Sequence, residues 1–177
     1  MKKIVVIGPE STGKSTLCTQ LAAHYNTLWV AEYAREYLLK NGTDYNFEQL
    51  MEIADGQLRS EEETAARLQK EANNRLLIID TDMYVMKVWS EIVFNKCDNR
   101  ILNRIVEQKY DLYLLCNTDL PWVQDALREY PDLATRRKIY QFYLDAMANQ
   151  PVPWVQISGS YEERFAKAVT AIDKLFI

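Results

Sequence analysis

The stretch IVVIGPESTGKSTL, residues 4–17, constrains this chain more than any other. Gly8-Pro-Glu-Ser-Thr-Gly13-Lys14-Ser15 matches G-x-x-x-x-G-K-[ST] at every fixed position, after an apolar run that reads as a strand and before residues 15–25, which read as a helix. The glycines permit a tight loop whose successive N–H groups point inward, and the following helix adds the partial positive charge of its N-terminus. Gly8, Glu10, Ser11, Thr12, Gly13, Lys14, Ser15 and Thr16 are therefore the candidate nucleotide-holding residues. Lys14 would reach the outer phosphates and the Ser15 hydroxyl would ligate Mg²⁺. A bare strand-to-helix turn needs neither the four fixed positions nor these flanks. The motif implies nucleotide binding and leaves the reaction open.

The remaining chain says what kind of sheet carries that loop. Short apolar runs at Lys3 to Ile7, Leu28 to Ala31, Leu76 to Ile79, Leu112 to Cys116 and Val152 to Ile157 alternate with longer amphipathic stretches. Runs apolar on both faces suit strands covered by helices on both sides. The expectation is a three-layer α/β fold around five buried parallel strands. Phe47, Leu50, Met51, Ala54 and Leu58 recur at helical spacing and lead into the charged stretch 59–70, so one long helix is expected, packed first and solvated later. Its acidic triplet Glu61, Glu62 and Glu63 reads as a water-facing side. With 177 residues, 48% of them apolar, and no linker or repeat, the chain is expected to form one domain over residues 1–177.

Charge and cysteines narrow the partners. A net charge of -4 without a basic stripe argues against nucleic acid. Cys18, Cys97 and Cys116 have no metal-site spacing and read as buried thiols of a reducing cytosol. The apolar start is cut by Gly8, Pro9 and Glu10, short of the about 7 to 15 residues of a signal-peptide core. No run approaches the ~20 residues of a membrane span. A cytoplasmic protein is expected, with no membrane partner.

In open α/β sheets ligands gather beyond the carboxyl ends of the strands. The third run ends in Asp80-Thr-Asp82, apolar residues delivering an aspartate toward a metal and a γ-phosphate. Asp80 is the expected Mg²⁺-shell residue, with a helix cap as its alternative, and Asp82 should lie one pleat further on the same side. The second run ends in Glu32, with Arg35 a helical turn onward. Glu32 would orient or deprotonate an acceptor hydroxyl, or else pair with Arg35 at the surface.

Asn95-Lys96-Cys97-Asp98 matches N-K-x-D, the guanine motif of GTPases. No D-x-x-G accompanies it, and Met86, Trp89, Ile92 and Val93 before it have helical rather than strand spacing, so it reads as coincidence. After Leu112 to Cys116 comes Pro121-Trp122-Val-Gln-Asp125-Ala-Leu-Arg128 and then a helical stretch with Arg136 and Arg137. Arginines on a mobile segment suit a phosphoryl-transfer lid, expected over about 118–149, and solvated helix arginines are the alternative. Gly159, after the last strand, would let the backbone approach an adenine.

Together the residues resemble the ribosylnicotinamide kinase domain of NadR proteins and its stand-alone relatives. The resemblance covers nearly the whole chain and rests on GPESTGKS at 8–15, WVAEYARE at 29–36, DTD at 80–82, WVQDALR at 122–128 and the terminal SYEER. It implies a nucleoside-kinase-like sheet ordered 2-3-1-4-5 with a helical lid, and ATP-dependent phosphorylation of the 5′-hydroxyl of nicotinamide riboside. Glu32, Arg35, Asp80, Asp82, Asp125 and Arg128 are the positions it carries over. Lys14, Asp82 or Glu32, Arg128 and Arg136 would then serve the transfer, and Tyr33, Tyr84 or Trp89 would shelve the nicotinamide ring. Full NadR chains place an adenylyltransferase domain before the kinase. With the loop beginning at residue 8, the kinase part alone is expected here, acting on a small nucleoside. A nucleotide-dependent switch acting through a protein partner is the competing expectation.

Overall fold

Apolar residues alternate sides along the central strands, and this alternation builds two cores, one on each face of the sheet. The computed structural model describes residues 1–70 and 76–177. The strands are β1 (Lys2–Ile7), β2 (Trp29–Val30), β3 (Leu76–Asp80), β4 (Leu112–Cys116) and β5 (Trp154–Ile157), all parallel in the order β2-β3-β1-β4-β5. The helices are α1 (Lys14–His24), α2 (Tyr33–Asn41), α3 (Phe47–Lys70), α4 (Met83–Phe94), α5 (Asn99–Glu107), α6 (Leu133–Ala148) and α7 (Tyr161–Asp173). Ile4, Val6, Ile78, Leu112 and Leu114 pack against Leu17 and Leu21 of α1 and Ala168 and Ile172 of α7. Val5, Ile7, Leu77, Ile79 and Leu115 pack on the opposite face against α3, α4 and α6 through Leu68, Val85, Val88, Ile139 and Tyr143. A third cluster joins α2, α3, α4 and α5 around Leu38, Leu50, Ile53 and Met86.

Three expectations need correction. The five runs are not equally buried: β2 shrinks to two residues, and β5 is a half-exposed edge with Gln156 facing water. α3 is one helix as expected, but Glu61 is buried at 4% exposure. It lies on the inward stripe with Leu50, Ala54 and Gln57, where it accepts from Lys3 Nζ at 2.7 Å and Tyr110 Oη at 2.9 Å. A carboxylate can occupy that core because two donors meet it. Cys18 and Cys116 are buried, whereas Cys97 is only half-buried, and all three are free thiols.

The N-K-x-D match is a helix-to-helix turn. Asn95 closes α4 in a left-handed conformation (φ 51°), and Asp98 caps α5 by accepting from Arg100 N. Among the described residues, no helix is long and apolar enough to cross a membrane.

Candidate active site

The β1–α1 loop has the backbone its glycines anticipate. Gly8 sits at φ 138° with its Cα against β4, where a Cβ would lie 2.6 Å from the Cys116 carbonyl oxygen. Gly13 precedes α1 at φ 78°, and Ser11 between them is also left-handed at φ 55°. Thr12 Oγ1 donates to the Pro9 carbonyl at 2.7 Å, and Lys14 Nζ reaches the same carbonyl at 3.1 Å. The loop is fastened from behind by Arg164, 2% exposed, which donates to the carbonyls of Thr12, Asn117 and Gly159 and to the Asp119 carboxylate. Five donors in a rigid fork suit such a junction of three loops.

Asp80, at the end of β3, is fully buried and accepts from Ser15 Oγ at 2.5 Å, while its Oδ1 has no partner. Burial pushes its carboxyl up to about 7, Lys14 works against that shift, and the charge of Glu32 adds to it. An orphaned buried carboxylate oxygen beside a hydroxyl fits Mg²⁺, which takes one or two protein oxygens and completes its shell with water and phosphate. Among the described residues no cluster of three or more His, Cys, Asp or Glu offers a fuller cage.

Asp82 does not continue on the side of Asp80. Thr81 takes φ 78°, which breaks the strand's alternation and swings Asp82 to the opposite face. There it caps α4, accepting from Tyr84 N at 2.9 Å and Val85 N at 3.4 Å, and takes the Tyr113 hydroxyl at 2.8 Å. Burial raises its carboxyl to about 7 against those three bonds. The helix-cap alternative weighed for Asp80 thus belongs to Asp82.

Glu32 begins α2 without capping it, and its carboxylate accepts no hydrogen bond among the described residues. Arg35 pairs with Asp125 rather than Glu32, Nη2 to Oδ2 at 2.8 Å and Nη1 to Oδ1 at 3.3 Å. The ends of β2 and β3 are tied by Gln57 of α3, 2% exposed. Its Oε1 accepts from Tyr33 N at 2.8 Å, and its Nε2 donates to the carbonyls of Asp80 and Thr81 at 3.2 and 3.1 Å. Gln57 and Arg164 were missed from sequence. For Gln57 the available signal was a polar residue on the apolar stripe of α3.

Residues 117–132 between β4 and α6 form a strap of turns and irregular chain, and the helical stretch expected with Arg136 and Arg137 is α6, from Leu133. Trp122 on this strap carries two arginines against its ring, Arg128 at 6.0 Å and Arg136 at 5.4 Å. Arg136 is 3% exposed, with Nε and Nη1 unpartnered.

Between loop, strap and helices lies a cavity of about 320 Å³. Gly8, Glu10, Gly13, Lys14, Ser15 and Thr16 of the loop line it together with Glu32 and Arg35 and with Trp29, Val85, Val88, Trp89, Leu127, Arg128, Glu129, Tyr130 and Tyr143, whereas Asp80 and Asp125 do not. Asp82, Arg136, Tyr33 and Tyr84 do not line it. Asp82 caps α4 and Arg136 lies under Trp122. Tyr33 packs on Gly56, where a Cβ would fall 2.1 Å from its ring, and Tyr84 meets Tyr113 edge-on at 5.8 Å. Trp89 does reach the cavity, with its Nε1 donating to Tyr45 Oη at 2.6 Å. Gly159, at φ 101°, lies outside it and donates to Asp119 Oδ2 at 2.6 Å beside the Ser160–Glu163 capping box.

The chain belongs to the AAA domain family, whose sequence pattern matches residues 3–164. It is similar to the trifunctional NAD biosynthesis/regulator protein NadR of Escherichia coli, strain K12, with 24% identity over 99% of this chain and 43% of that protein. It thus spans less than half the length of that relative. Its fold is similar to that of a NadR protein crystallised with NR, at a TM-score of 0.82 and 23% identity, covering 98% of this chain and 49% of that one. Thymidylate kinase from Ehrlichia chaffeensis shares the fold at a TM-score of 0.70 and 13% identity, covering 97% of this chain and 98% of that one.

Proposed function

We propose that the protein is an ATP- and Mg²⁺-dependent nucleoside kinase whose preferred acceptor is nicotinamide riboside, phosphorylated on its 5′-hydroxyl to the mononucleotide. The observation that carries this reading is that one cavity takes in Lys14 and Ser15 of the loop, Glu32, which accepts no hydrogen bond among the described residues, and apolar and aromatic side chains including Trp89, Leu127, Tyr130 and Tyr143, enough for an acceptor chamber beside the phosphates. A switch that hydrolyses nucleotide has no need of that second chamber. The sequence similarity to NadR and the fold likeness to a protein crystallised with NR support the choice of acceptor.

In this mechanism the amides from Gly8 to Thr16, together with Lys14, hold the triphosphate, and Gly159 borders the adenine. Ser15 and Asp80 would hold Mg²⁺, which when bound neutralises charge on the phosphate oxygens. Glu32 takes the proton of the acceptor hydroxyl as its oxygen bonds to the γ-phosphorus and the bond to the β,γ-bridging oxygen breaks, releasing ADP. Arg35, held by Asp125, orients the ribose. Arg128 offsets the charge developing on the migrating group. Asp82, Tyr33, Tyr84 and Arg136 serve by supporting α4, α2 and the strap. Residues 1–177 would act as one kinase unit with 118–149 as its cover, in a reducing cytoplasm that suits the three free thiols.

Incubation with Mg-ATP and a panel of nucleosides tests this. Phosphorylation of nicotinamide riboside well above ATP hydrolysis is the expected result. Selective phosphorylation of another nucleoside overturns the acceptor alone, and turnover indifferent to every nucleoside overturns the kinase reading in favour of a switch.

A further inference from the structure

The kinase reading gives no reason for a carboxylate at the third position of the phosphate loop. Glu10 spends both its oxygens outside the loop: Oε2 accepts from Glu129 N at 3.1 Å, and Oε1 accepts from Tyr130 N. Its neighbour Ser11 also turns outward, and its Oγ accepts from Val123 N at 3.0 Å and Arg128 Nη1 at 3.4 Å. These partners lie 112 to 120 residues away, all on the strap.

We propose that Glu10 and Ser11 are positioning residues, gripping the strap with their side chains so that nucleotide on the loop's inward amides and closure of the acceptor chamber are coupled. The bonds within the strap are short-range: Trp122 Nε1 donates to Gln124 Oε1, Leu127 N to Asp125 Oδ1 and Arg128 Nη1 to the Val123 carbonyl. Between Pro121 and Asp132 there is no helix or strand, and the backbone bond from Arg128 N to the Asp125 carbonyl, at 3.2 Å, closes one turn. The gripped residues also form the chamber, since Arg128, Glu129 and Tyr130 line it. A triphosphate seated on the inward amides would stiffen the same backbone that presents Glu10 and Ser11, so an ordered loop holds an ordered cover. Closure would then exclude water at the moment transfer becomes possible. What closure accomplishes rests on the kinase reading; the grip rests on the geometry.

The test uses the whole chain with Glu10→Ala, Glu10→Gln and Ser11→Gly. The Gln variant keeps size and one acceptor oxygen, so it guards against a folding failure, and glycine keeps the left-handed backbone of residue 11. Trypsin cleavage after Arg128, followed with and without a non-hydrolysable ATP analogue, reads the grip without any catalysis. Because such cleavage tracks local opening, Glu10→Ala should speed it about tenfold, with Glu10→Gln between it and wild type. The analogue should protect Arg128 in wild type but not in Glu10→Ala, and its own Kd should change less than the nucleoside KM, because both carboxylate oxygens are engaged by strap amides. In the kinase assay, nucleoside KM should rise about tenfold, and a larger share of ATP should go to water.

Unchanged cleavage and protection in Glu10→Ala would overturn the proposal. A fall in analogue affinity equal to the fall in nucleoside affinity would do so too, returning Glu10 to the nucleotide pocket. A wild type that phosphorylates no nucleoside removes the kinase reading and leaves the cleavage arm to decide the grip.

Discussion

The floor of the cavity and its cover are held by different kinds of bond. The floor is the β1–α1 loop, backed by the end of β3 through the bond from Ser15 to Asp80. Its atoms are placed by sheet pairing, by backbone conformations at Gly8, Ser11 and Gly13, and by contacts such as Ser15 to Asp80. The cover, residues 117–132, lacks regular structure and is fastened by side chains from elsewhere: Glu10, Ser11, Arg35 and Arg164. The floor is a rigid template on which charge can be pre-oriented; the cover is a strap held mainly by side-chain bonds, exposed at Ser11 and Arg35 and buried at Arg164. Substitutions in the floor should therefore reduce chemistry, and substitutions at the fastenings should change binding and water exclusion.

The sharpest break comes at Lys14. Lys14→Ala removes the only side-chain cation within the loop and should lower turnover about 10³-fold while thermal unfolding stays near wild type. Near-normal turnover would take the loop out of the mechanism. Next comes the pair of carboxylates that sequence reasoning treated as interchangeable. Glu32→Gln should cost about 10²-fold in kcat with the fold intact. Asp82→Ala should mainly lower stability, by about 0.5–2 kcal/mol, through the α4 cap, with a much smaller change in kcat. The reverse pattern would make Asp82 the base.

That pair shows where the sequence stops being legible. The loop and the alternation of strands and helices are local patterns, and each lies where its pattern predicts. The facing of Asp82 depends on one left-handed residue, Thr81, and nothing in D-T-D announces a positive φ at threonine. Glu61 looked solvated because three glutamates in a row usually are. Its burial needs Lys3 and Tyr110, which only the fold brings to it. Glu10 and Arg164 act on partners more than forty residues away, and single-sequence periodicity carries no such information. The residues of the strap single it out as a lid segment, but without periodicity its irregular backbone and its fastenings had no signal to read.

A smaller effect separates packing from chemistry on the acceptor side. Gly56→Ala would push a methyl into the Tyr33 ring, and displacing that ring from the start of α2 should destabilise the protein by about 1–3 kcal/mol in a denaturant titration. Because Glu32 immediately precedes Tyr33, kcat should also fall. A loss of stability with kcat unchanged would show that the Gln57 bond to Tyr33 N holds Glu32 in place without the ring.

The smallest effect tests the outermost fastening. Arg35 and Asp125 form a two-bond pair whose side chains are 53% and 20% exposed, so solvent screens it, and a double-mutant cycle on stability should give a coupling of about 0.2–1 kcal/mol. The Arg35 hydrogen bonds, with the Leu127 amide adding, hold the Asp125 carboxyl below its usual value. A carboxyl depressed in the folded state contributes stability above its unfolded pKa, about 3.9, and loses that contribution as pH falls through the lower folded value. The coupling should accordingly be constant from pH 7 to about 5 and fade below about 4. Raised salt should weaken it as well. The same cycle read through nucleoside KM should exceed the stability coupling, because the pair joins a cavity-lining arginine to the strap and acts on closure. Equal couplings in the two readouts would mean that the pair stabilises the fold without setting the cover.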